Sequence, residues 1–130
     1  MQSFKVSQAA QLLGVSDDTV RRWIEQGELP VGEGRPIEVP GDALAAKALE
    51  LAAAPADPDV TRSSARNRFV GLVVRVQRDG VMAQVDIQAG PHRVVSLLSA
   101  EAVDELGLEI GSLAAAVVKA THVVVETPRA

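Results

Sequence analysis

Apolar positions recur at spacings of three and four near the start of the chain, the period of a helix with one buried face. Ala9, Ala10, Leu12 and Leu13 form the first such set, with Ser7 the expected N-cap and Gly14 the expected turn residue. Ser16 is placed to cap a second helix over residues 17–26, which buries Val20 with Trp23 or Ile24 and ends at Gly27. A Gly- and Pro-rich stretch over 32–40 leads to a third expected helix from about 42 to 53. Beyond residue 67 the helical period gives way to alternation. Residues 68–78 are rich in β-branched side chains, Asp79-Gly80 is a two-residue hairpin signal, and residues 81–87 alternate again. Ala89-Gly90-Pro91 turns the chain into a third strand over 92–98. Ser99 reads as the N-cap of a short helix that Gly107 ends. After an Ile110-Gly111 turn, residues 112–119 and 121–126 complete five strands, with Val73, Val85, Val94, Val117 and Val124 as the expected core.

These patterns predict an α+β chain of two domains. Residues 1–53 form a mainly helical helix-turn-helix unit, since helix, short Gly turn and helix is that motif. Residues 62–130 form a small OB-like barrel of five strands with one short helix. Residues 54–61, with Pro55 and Pro58, read as an extended linker.

Composition narrows the class further. Hydrophobic residues make up 47% of the chain but aromatics only 2%, so the cores are aliphatic. The absence of cysteine excludes disulfides and thiolate metal sites. No leader is expected, and the apolar runs are too short to span a bilayer, so a cytoplasmic protein without membrane contact is expected. The net charge is −4, and in residues 1–54 five cations face eight carboxylates. Nucleic-acid affinity rests largely on neutralising phosphates, so here it must rest on few, local cations.

Candidate chemistry brackets the β domain. Ser64-Ala65-Arg66-Asn67, followed by Gly71, opens it, and Lys119-Ala120-Thr121 lies near its end. Together they supply two cations, hydroxyls and amide donors without a carboxylate, the inventory that a small oxyanion requires. On these motifs the segment from about Arg62 to Pro128 resembles the molbindin (Mop, or TOBE) domain. That resemblance implies a molybdate or tungstate ligand bound between subunits. The implied ligand set is Ser64, Arg66, Asn67, Ser96, Ser99, Lys119, Thr121 and the backbone N–H of Ala120. It also implies a homo-oligomer, a hexamer ahead of a dimer. Isolated His92 and His122 suggest no metal site, and molybdenum enters only as the oxyanion. No organic cofactor is expected. No nucleophile–base pair, paired carboxylates or phosphate loop is evident, so an enzyme is not expected.

Residues 6–53 resemble the excisionase-like branch of the MerR-type winged helix-turn-helix family, on Val6 to Ser16, Leu29-Pro30 and the wing-like 32–40. The resemblance makes DNA the expected partner, with Ser16, Thr19, Arg21, Arg22 and Arg35 as the contact residues. A DNA reader joined to an oxyanion sensor reads as a molybdate-responsive transcriptional regulator. The competing readings are an oxyanion storage or buffering protein whose N-terminal domain serves assembly, and a DNA-binding module whose β domain is only a scaffold.

Overall fold

The computed structural model describes residues 2–52 and 63–129. The chain divides into two units, Met1–Ala53 and Ala54–Ala130. The expected linker, 54–61, lies outside the described residues.

In the first unit, β1 (Ser3–Lys5) pairs antiparallel with β2 (Glu38–Pro40), and α1 (Val6–Leu13), α2 (Asp17–Glu25) and α3 (Gly41–Leu51) pack around them. Ala9, Ala10, Val20, Leu29, Val39 and Leu44 are the buried core, with Trp23 and Ile24 packed against it. Gly14 ends α1 at a φ of 70°, and its N–H and that of Val15 return to carbonyls of α1. Ser16 caps α2 as expected, its Oγ accepting from the Thr19 N–H at 3.1 Å. Ser7 is not a cap. Pairing with β2 holds Lys5 extended, so α1 starts at Val6, and the Lys5 N–H donates to Gln8 Oε1 at 3.0 Å. Lys47 lies buried on α3, its ammonium 4.5 Å from the centre of the Trp23 ring and within 4.0 Å of Glu28 and Glu50.

The second unit is a curled antiparallel sheet in the order β5-β4-β3-β6. Its strands are β3 (Asn67–Asp79), β4 (Met82–Ala89), β5 (His92–Ser99) and β6 (Leu113–Val118). Between β5 and β6 runs α4 (Ala100–Leu106), capped by Ser99 and ended by Gly107 at a φ of 64°. The first hairpin turns one residue later than expected, at Gly80-Val81, because Asp79 stays in the ladder opposite Met82. β3 is shared. Residues 67–72 pair with β6 and 72–79 with β4, and the hand-over falls at Leu72, next to Gly71. A Cβ on Gly71 would press into the Gln88 carbonyl, so only glycine lets β4 cross this closely.

Val73, Ala83, Val85, Ile87 and Val103 form the core of this sheet. Val94 is half-buried, Val117 is exposed, and Val124 is 83% exposed. The difference has one cause. The expected fifth strand, 121–126, opens as a 3-10 turn (Ala120–His122) and continues without a ladder among the described residues. Its side chains therefore have no sheet to pack on.

Candidate functional site

The β3–β6 ladder unites the two oxyanion motifs. Asn67 sits opposite Val118, and its Nδ2 donates to the Val118 carbonyl at 3.2 Å. Lys119, Ala120 and Thr121 follow directly, in the 3-10 turn and its approach. Ser64 and Arg66 immediately precede β3, where Ser63 Oγ accepts from the Ala65 N–H at 3.1 Å and bends the segment. Arg66, Lys119 and Thr121 are all exposed. The cluster thus offers two cations, two hydroxyls, the second amide hydrogen of Asn67 and no carboxylate of its own. That donor set fits a dianion.

Ser96 and Ser99 lie elsewhere on the sheet. Ser96 is half-buried in β5 opposite Val85. It lines an apolar groove of about 460 Å³ together with Val94, Leu98, Leu113, Val117 and Val118. Ser99 ends β5 opposite Met82, beside the β3–β4 hairpin, with its Oγ accepting from the Ala102 N–H at 3.0 Å. Along β3, Asn67 and the hairpin mark opposite ends of a thirteen-residue strand. The register therefore joins six of the eight expected ligands at one end and sets Ser99 at the other.

On the first unit, the Ser16 and Thr19 hydroxyls pair with each other at 2.9 Å at the start of α2. Arg21 and Arg22 are exposed on α2, and Arg21 meets Asp18 at 3.5 Å. Arg35 is exposed in the loop ahead of β2. Arg21 and Arg35 border a common hollow whose rim also carries Lys5. Lys5 escaped the sequence reading because it precedes the helical period; only the β1–β2 pairing carries it to this face.

A second polar cluster also lay beyond reach of the sequence. Asp86 is 3% exposed on β4. It accepts from Gln84 Nε2 at 2.9 Å and from Arg93 Nε at 2.9 Å. The Gln84 bond, then the Arg93 guanidinium, hold its carboxyl below the ordinary carboxylate value against the cost of burial. Period-two alternation puts Asp86 on the opposite face from Val85 and Ile87, so this pin braces β4 and β5 away from the apolar groove.

Comparison with known proteins places both halves. Residues 63–125 match the TOBE domain model, and residues 3–46 match a helix-turn-helix domain model. The molybdenum-pterin-binding protein 2 of Clostridium pasteurianum is 40% identical over 63 residues, which are 48% of this chain and 93% of that protein. The chain belongs to the TOBE family. A probable molybdenum-pterin-binding protein of Haemophilus influenzae is 46% identical over 63 residues, 48% of this chain and 91% of its own length. Among solved structures, a molybdate binding protein from Sporomusa ovata superimposes with a TM-score of 0.50 at 27% identity, covering 52% of this chain and all of that one. The TOBE match spans the curled sheet, the Ser64–Asn67 cluster and Lys119–Thr121 alike. Among the described residues no helix is long and apolar enough to cross a membrane.

Proposed function

We propose that this protein binds molybdate or tungstate between copies of its TOBE domain and uses anion occupancy to control DNA binding by its helix-turn-helix unit. The observation that carries the reading is the register. Ser64, Arg66, Asn67 and Lys119–Thr121 share one end of β3, whereas Ser99 stands at the other. In one chain these groups sit apart; a second copy, reversed, brings the missing hydroxyls to the cluster. Two further features favour association. Among the described residues β5 and β6 are the edges of the sheet beside the apolar groove, and Val124 and Val125 are each 83% exposed. The family resemblance favours a hexamer over a dimer.

The relatives are named for molybdenum-pterin or molybdate binding, and for this chain a binding role with the bare oxyanion as ligand is proposed. Sulfate has the same charge and shape but shorter bonds, so discrimination rests on the size of the seat. Calorimetric titration with molybdate, run with and without millimolar sulfate, tests the reading. Sulfate-resistant binding supports it. A folded, associated protein that takes up no molybdate overturns it.

A storage or buffering role has one observation in its favour, the excess of eight carboxylates over five cations in residues 1–54. The Arg21→Ala, Arg22→Ala double variant separates the two. Under regulation it abolishes DNA retention in a gel shift; under storage the wild type itself is not retained. A cytoplasmic setting is proposed with either role.

A further inference from the structure

We infer that the hollow on the first unit is a seat for one phosphate group of a DNA backbone, with Lys5, Arg21 and Arg35 as its three cationic walls. This inference rests on the DNA-binding reading and adds a residue and a chemistry to it. The cations come from three separate parts of the chain: the end of β1, the middle of α2 and the loop ahead of β2. The sequence separates them widely, and the fold assembles them.

Charge bookkeeping makes the placement informative. The unit has five cations. Lys47 is buried and tied to Glu28, Glu50 and the Trp23 ring, which withdraws it from any surface role. Of the remaining four, three line this one hollow, and of the eight carboxylates only Asp17 does. An acidic unit that gathers its mobile positive charge in one place repels a polyanion everywhere else, and so fixes where that polyanion runs. The Arg21–Asp18 pair is no obstacle, since both partners are largely exposed and such a pair exchanges at little cost. Ser7 adds a hydroxyl, and Pro36 with Ile37 adds an exposed apolar rim suited to a deoxyribose flank. A phosphodiester suits the cations, the hydroxyl and the apolar rim of that lining, and Asp17 alone opposes it. A phosphate contact there positions the duplex without reading bases, leaving base contact to other side chains of α2.

The experiment is fluorescence anisotropy of a random-sequence duplex of about 30 base pairs, titrated with the full chain over a range of salt concentrations. The Lys5→Ala, Arg35→Ala double variant should bind several-fold more weakly, with a slope of log affinity against log salt shallower by about one, the signature of one lost phosphate contact. Asp17→Asn removes the carboxylate from the hollow and should tighten binding, whereas Glu25→Gln, an equal charge change on α2 outside the hollow, should not. An unchanged slope in the double variant, with the wild type binding well, overturns the inference and leaves DNA binding intact. A wild type that fails to bind the duplex even at low salt overturns both. Inorganic phosphate that occupies the hollow of the wild type, but not of the double variant, without displacing the duplex at fixed ionic strength assigns the hollow to free phosphate and overturns the backbone source.

Discussion

Single residues fix what the rest of the β unit can do. Gly71 immediately precedes Leu72, where β3 changes partners, and a methyl group on Gly71 meets the Gln88 carbonyl and the Ala89 backbone, neither of which yields cheaply. Gly71→Ala should cost about 1–3 kcal/mol, the usual toll of overpacking, measured by urea unfolding of the β unit's signal. Asp86 carries a different kind of constraint. Its folded pKa lies below the ordinary 3.8, so its contribution to stability is complete above that value and is lost as pH falls through the folded pKa. Asp86→Asn should therefore remove a step from the acid limb of a stability–pH profile below about pH 4 and leave its neutral-pH shape unaltered. Of these residues, Gly71 was legible as a motif member. The Asp86–Arg93–Gln84 cluster was not, because cross-strand neighbours seven residues apart carry no local signal until the hairpin register is known.

At the scale of elements, caps and turns were the readable part. Ser16 and Ser99 each begin a helix by accepting from a backbone N–H three residues on, the geometry their sequence context implies. Ser7 failed as a cap because a tertiary strand pairing, which no local pattern displays, holds Lys5 extended two residues earlier. The segment 121–126 has strong strand composition, yet strand propensity is realised only where a neighbouring edge and a packed face exist. Ser99 allows the capping and ligand roles to be separated. Ser99→Ala should destabilise the β unit by about 1 kcal/mol and weaken molybdate binding. Ser99→Asp keeps a capping oxygen and suits the helix dipole, so thermal stability should hold while the added negative charge removes molybdate binding in calorimetry.

For the whole molecule, the candidate oxyanion site was legible as far as one chain can hold it. The two motifs bracket the domain in sequence and meet in space through Asn67 and Val118. Register sets Ser99 away from the cluster, which is why the proposed site calls for a second copy. Arg66→Ala with Lys119→Ala removes both exposed cations of that cluster and should abolish molybdate uptake without altering the melting of either unit. Sedimentation of the same variant should lose any anion-dependent change in size, because a ligand shifts an equilibrium only by its difference in affinity for the two states.

The two buried clusters have no residue in common: one is built on Ala9, Val20, Leu29 and Val39, the other on Val73, Val85, Ile87 and Val103. Under the proposed function, the message from anion to DNA is carried by the association of chains. In a regulator built this way it travels as the spacing of helix-turn-helix units, and spacing exists only where chains have met. Protein abundance then becomes a second input. A scarce regulator of that kind stays silent at any anion level and answers to two concentrations together, the anion's and its own.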